Sequence, residues 1–181
     1  MRTPTPTMRL NEAETISLAG RDWVAIHTPG HTEDHLCLFD PTDGVMLSGD
    51  HVLPTITPHV GGLSPMADPL ATFLESLDKI AAYGDDVSVV LPAHGHPFSS
   101  LAARAESIKQ HHVDRLDQLR STAEQIGHPA SVTEYSQHLF SARVQATMAD
   151  SETYAHLEHL RRLGEMTRQT EPSPYRYVLV D

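Results

Sequence analysis

Apolar positions in the first half of the chain fall in short runs separated by turn residues. Glu14 to Leu18 and Trp23 to His27 read as two short strands about a turn at Gly20. Leu36 to Phe39 reads as a third strand, and Val45 to Leu47 returns from it through Pro41-Thr42-Asp43-Gly44. Prolines and the Gly61-Gly62 pair make His51 to Ala67 a loop. The period then changes. Leu70, Phe73, Leu74, Leu77, Ile80 and Ala81 recur at helical spacing behind an Asp68 cap and Pro69, and Gly84 stops the run. Val87 to Leu91 is continuously apolar, which predicts a strand buried on both faces. The alternating threonines and prolines before Arg9 predict a flexible lead-in.

The character shifts after Pro97. Ser99 or Ser100 opens a long helix that ends near Gly127, and Ser131-x-x-Glu134 is a capping box for a short one. Ser151 to Leu163 predicts a further helix with Leu157, Leu160 and Leu163 on one face. Glu165 to Arg168 and Tyr175 to Val180 are strand-like. Helices closed by a hairpin suggest a winged helix, and the boundary falls at residues 99 and 100.

The 181 residues carry 13 basic and 24 acidic side chains, a formal net charge of −11. Residues 1–99 hold 4 basic and 13 acidic groups, net −9, and residues 100–181 hold 9 and 11, net −2. Acidity of that size argues against a nucleic-acid backbone or an anionic membrane as the main partner. No apolar run is long enough to span a bilayer, and residues 1–10 lack the apolar core of a secretory signal. Cys37 is the single cysteine, so no internal disulfide forms and a reducing, cytoplasmic setting is the default expectation.

The 13 histidines are the compositional outlier. Three segments share one design: Thr28-Pro29-Gly30-His31-Thr32, Ser48-Gly49-Asp50-His51, and Pro92-Ala93-His94-Gly95-His96-Pro97. Each sets an imidazole or carboxylate after a strand, beside a glycine that lets the backbone turn. Strands aligned in one sheet bring His31, Asp50 and His94 together. Two imidazoles and a carboxylate suit Zn²⁺ or Fe²⁺, and a carboxylate can bridge two ions. His96 is close enough to substitute for His94. His35 is expected as a supporting partner rather than a ligand. His51 and His59 flank the Pro/Gly loop, where pocket lining and plain loop surface are both open. His111-His112 and His156-x-x-His159 lie on charge-dense helices and are expected on solvated faces. Cys37, Trp23 and Phe39 are expected in the core.

In this order and spacing, TPGHT, SGDH and PAHGHP resemble the later metal motifs of the metallo-β-lactamase superfamily. The resemblance implies that His31 is a ligand of a first metal, Asp50 the bridging ligand, and His94 a ligand of a second. It implies an α/β (α+β) fold. Residues 1–99 would be the C-terminal half of an αββα sandwich, and residues 100–181 a tail like the winged-helix extension of one branch. That branch includes an endoribonuclease and bacterial hydrolases of varied substrates. The family signature His-x-His-x-Asp-His has no counterpart here; the one His-x-His is His94-Gly95-His96, and Pro97 follows it. The chain therefore reads as the C-terminal portion of such a hydrolase, with four ligands missing. At most one weakly held zinc ion is expected.

Two function classes follow. One is a metal-dependent hydrolase in which metal hydroxide attacks an ester, thioester or lactone of a small molecule. The other is a non-catalytic scaffold or interaction module, with a phosphodiesterase or ribonuclease as a further alternative. A half sandwich exposes the sheet carrying Leu36, Leu38, Val89 and Leu91, so a homo-oligomer or a complementing N-terminal half is the expected partner. No DNA binding and no membrane association are expected.

Overall fold

The computed structural model describes residues 8–141, 147–171 and 173–180. Residues 1–7 of the Thr/Pro lead-in therefore lie outside the described residues. The first half is a five-stranded sheet of β1 (Thr15–Leu18), β2 (Arg21–His27), β3 (Leu36–Asp40), β4 (Val45–Gly49) and β5 (Val89–Pro92), in that spatial order. The first four strands form an antiparallel meander, and β5 adds parallel to β4. The connection between β4 and β5 contains α1 (Pro69–Ala81), capped where Asp68 accepts a 3.0 Å hydrogen bond from the Ala71 amide.

One face of the sheet is a core. Ile26, Cys37, Phe39, Met46 and Val90 pack with Phe73, Leu77 and Ile80 of α1 and with Leu101, Ala105 and Ile108 of α2 (Leu101–Ile126). The α2 start follows Ser100, whose side chain makes no cap bond, and Gly127 ends the helix with φ +67°. Strand register puts Ala25, Leu38, Leu47 and Leu91 in one row on the opposite face. Leu36, Leu38, Leu47 and Val89 there are half-buried and Leu91 is exposed. This corrects the expectation that the Val87–Leu91 run is covered on both faces. The strand sits at a sheet edge, and only Val90 is fully enclosed by helices.

The second half comprises α2, β6 (Ala130–Ser131), α3 (Val132–Leu139), α4 (Thr147–Arg162), β7 (Met166–Gln169) and β8 (Arg176–Leu179). The last three strands form a sheet in the order β6-β8-β7. The capping box is present: Ser131 Oγ accepts from the Glu134 amide, and Glu134 Oε2 accepts from the Ser131 amide. Helix α4 begins four residues earlier than its leucine pattern predicts. Leu157 and Leu160 are buried, but Leu163 lies beyond the helix and is exposed.

Tail and loop are fastened together. Arg104 of α2 donates to the carbonyls of Leu53 at 2.6 Å and Ile56 at 2.9 Å. The Gly62 amide donates to the Ser151 carbonyl at 3.0 Å. His159 of α4 pairs with Asp68 at 2.9 Å, so one carboxylate caps α1 and anchors α4. The half-covered leucine face predicts that the chain binds a hydrophobic dye such as anilinonaphthalene sulfonate. Dye fluorescence titrated against wild type and Leu91→Lys is expected to drop in the variant, with the melting temperature unchanged.

Candidate metal centre

Strands β2, β4 and β5 run in the same direction, so their C-terminal ends meet at one edge of the sheet. The three motifs follow those ends. His31 Nε2 lies 3.9 Å from Asp50 Oδ2, and His94 Nε2 lies 3.4 Å from Asp50 Oδ1. One carboxylate thus stands between two imidazoles, with one oxygen toward each. Asp50 Oδ1 is shielded from solvent and has no hydrogen-bond partner. His31 Nδ1 donates to the His59 carbonyl at 2.7 Å, which turns Nε2 toward Asp50. Two imidazole nitrogens and an under-bonded carboxylate oxygen are a donor set that fits a divalent cation. The His94 side chain is 69% exposed, so the centre opens to solvent on that side.

Close packing explains the glycines. A Cβ on Gly30 (φ +135°) would sit 2.4 Å from the Phe73 Cα, so the TPGHT turn lies directly on α1. Ser76 of α1 donates to the Pro29 carbonyl at 2.8 Å and pins it. A Cβ on Gly49 (φ +53°) would sit 2.6 Å from His35 Nε2. That space is used by the imidazole: His35 Nε2 accepts from the Asp50 amide at 3.1 Å, and Nδ1 donates to Thr28 Oγ1 at 2.8 Å. Burial pushes the His35 pKa down to about 4, so the ring is neutral and both nitrogens are engaged. His35 holds the backbone of Asp50 and has no free nitrogen for an ion.

The other sequence candidates divide. His51 is fully buried, edge-on to Phe73 with ring centroids 5.0 Å apart, and burial pushes its pKa down to about 3. Neither of its ring nitrogens has a hydrogen-bond partner. His59 serves the centre through its carbonyl, while its ring meets Glu152 of α4 at 3.3 Å. His96 is exposed, and it is His94 that reaches Asp50.

Sequence reasoning placed His112, His156 and His159 on solvated faces; all three are buried. Helix α4 packs against both α1 and α2, so its histidine face is interior. His112, Glu152 and His156 form a cluster whose ligand-capable atoms lie within 4.8 Å of one another. The i, i+4 spacing of Glu152 and His156 was the available signal, and the dense surrounding charge hid it.

Buried neutral imidazoles make stability pH-dependent. His35, His51 and His156 have native pKa values of about 4, 3 and 4, all lowered first by burial. The unfolded chain titrates near 6.5, so it binds more protons below that pH. Unfolding free energy is therefore expected to be full above pH ~6.5 and to fall steadily toward pH ~4. Urea titrations across this range with chelator present check it, and His51→Leu is expected to give a flatter profile.

Residues 6–94 match the family model described as the Metallo-beta-lactamase superfamily. The chain is 29% identical over 156 residues to the probable metallo-hydrolase YqjP of Bacillus subtilis, covering 82% of this chain and 48% of that protein. It is 27% identical over 117 residues to an atrochrysone carboxyl ACP thioesterase of Aspergillus fumigatus, covering 65% of this chain and 26% of that one. The metallo-beta-lactamase family protein TTHA1429 of Thermus thermophilus superposes with a TM-score of 0.86 at 35% identity, over 98% of this chain and 56% of its own. The chain thus spans about half the length of the Bacillus and Thermus relatives, and the Thermus match extends through the helical tail. By motif, by fold and by these similarities, residues 6–94 of the chain are a segment of the metallo-β-lactamase superfamily.

Proposed function

We propose that this chain contributes His31, Asp50 and His94 to the metal centre of a hydrolase that cleaves an ester, thioester or lactone of a small molecule. The observation that carries the reading is the Asp50 carboxylate, with one oxygen facing each imidazole. A divalent cation held there supplies Lewis acidity toward a carbonyl oxygen and activates water near neutral pH. The chain's own residues do the orienting. The His59 carbonyl fixes the His31 tautomer, His35 holds the Asp50 amide, and the exposed His94 side leaves room for a substrate. The thioesterase named among the relatives supports an acyl substrate. Zinc is the metal proposed, because imidazole and carboxylate donors suit it.

Three donors leave coordination positions open, and His-x-His-x-Asp-His does not occur in the chain. We take the remaining ligands to come from a complementing N-terminal half or from a second copy seated through the leucine face. The same observation favours a second reading, a non-catalytic scaffold. Elemental analysis and thioester hydrolysis with added Zn²⁺ separate the two. Turnover lost in Asp50→Ala and His94→Ala, together with one weakly held zinc ion fewer than in the wild type, supports the hydrolase. Turnover unchanged in those variants would remove this centre from the reaction.

We read the helices and closing strands of the tail as a winged helix, yet several of its charges pair internally. Arg161 and Arg168 both bond Glu158, and Arg120 bonds Glu165 at 2.6 and 2.9 Å. Strong phosphate binding draws on roughly 6–10 basic contacts. We read the tail as a scaffold and expect no duplex DNA binding at physiological salt by fluorescence anisotropy. Tight, salt-sensitive RNA binding would instead favour the phosphodiesterase reading. A cytoplasmic setting fits the unpaired, buried Cys37.

A further inference from the structure

We propose that His112, Glu152 and His156 form a second divalent-cation site, of zinc-like preference, that ties α2 to α4 and is separate from the strand-end centre. Glu152 and His156 are one helical turn apart, so their side chains leave α4 on the same face. His112 meets them from α2. The three ligand-capable atoms lie within 4.8 Å of one another, and His112 and His156 are buried.

The hydrogen bonds show which electron pairs are free. His156 Nδ1 lies 2.8 Å from the Glu152 carbonyl, which only accepts, so Nδ1 carries the proton and Nε2 the lone pair. His112 Nδ1 lies 3.0 Å from that Nε2 and donates to it. His112 Nε2 is then a second lone pair, buried and without a partner among the described residues. This nitrogen can take up the His112 proton when Nδ1 binds an ion. The Glu152 carboxylate is also largely enclosed, and its one charged or hydrogen-bonding side-chain partner among the described residues is the His59 ring at 3.3 Å.

A cation can occupy the place of the proton that the two rings share. Two zinc–nitrogen bonds of about 2.1 Å at a tetrahedral angle put the nitrogens about 3.4 Å apart, so the 3.0 Å His112–His156 pair needs to open only slightly. The ion takes the place of the shared proton, which passes to the other nitrogen of His112, and no net proton is lost. Glu152 supplies the third ligand and one negative charge. Two imidazoles and a carboxylate select borderline ions such as Zn²⁺ or Co²⁺ over Mg²⁺ and Ca²⁺. The opposing charge is Arg115 of α2, close enough to act on His112, Glu152 and His156, while its hydrogen bonds go to His111 and the Leu139 carbonyl and it stacks on Phe140.

The test uses the full chain, stripped with chelator and titrated with Zn²⁺ or Co²⁺ alone. In the double variant Asp50→Ala/His94→Ala, one ion per chain is expected to remain, with a visible Co²⁺ spectrum and a zinc-dependent rise in melting temperature. Adding Glu152→Gln, or separately His156→Phe, is expected to weaken that binding about 100-fold or more and abolish the rise. Far-UV circular dichroism and the melting temperature in chelator verify that these variants fold. Because Glu152→Gln is isosteric, it carries the test if His156→Phe does not fold. No ion in the double variant, or an ion that survives Glu152→Gln, overturns the proposal. Either result leaves the strand-end centre untouched, so this inference and the hydrolase reading fail separately.

Discussion

The hydrogen bond from His31 Nδ1 to the His59 carbonyl governs the orientation of the centre. It spends one nitrogen of His31 on the backbone and so points the other at Asp50. That bond is only as firm as the loop that carries His59. The loop has no regular structure of its own, and its backbone is held from outside by Arg104, by the Ser151 carbonyl and by the ring contact with Glu152. The helical tail therefore reaches the centre without contributing a donor to it. Its α4 presents Ser151 and Glu152 to the loop, and His159 to the cap of α1, along one face.

The same packing explains why this region holds so many neutral histidines. His35, His51, His112 and His156 are desolvated, and burial lowers the pKa of each. A neutral imidazole is compact and flat and packs against aromatic rings at lower cost than a charge. His51 and His112 flank Phe73 edge to face, at 5.0 and 5.5 Å. Two of the four have all their nitrogens engaged, as His35 does between Asp50 and Thr28. The second is His156, whereas both nitrogens of His51 and Nε2 of His112 have no partner among the described residues.

Much of the fold was legible from local rules. Asp68-Pro69, the Ser131 capping box and Gly127 mark helix ends by chemistry that acts within a few residues, and all three stand where the pattern put them. The juxtaposition of His31, Asp50 and His94 was legible because each motif follows a strand and the strands run in parallel. What the pattern missed depends on tertiary contacts. The strand at Val89–Pro92 has an interior composition but an edge position, so only one of its faces is covered. The start of α4 at Thr147 precedes its leucine stripe, and Thr147-Met148-Ala149-Asp150 adds no leucine to extend it. Burial of His112, His156 and His159 follows from α4 lying against α1 and α2, a long-range packing that a window of charged residues does not reveal.

The charge arrangement of the tail bears on what such an extension is for. Glu158 is largely shielded, yet it accepts from Arg161, Arg168 and the Tyr177 hydroxyl, the last at 2.7 Å. These bonds outweigh burial and keep its pKa below the usual carboxylate range. The tyrosine hydroxyl is pushed strongly upward by burial and by that carboxylate, so it stays a donor. A polar hub of this kind locks α4 to β7 and β8 and consumes the cations that a phosphate-binding surface needs in the open. An adjoining face of the same helix, about 100° round from Glu158, carries Glu152 and His159 to the first half of the chain. Helix α4 is thus held by internal partners on two adjoining faces, from β7 and β8 on one and from the loop and the cap of α1 on the other.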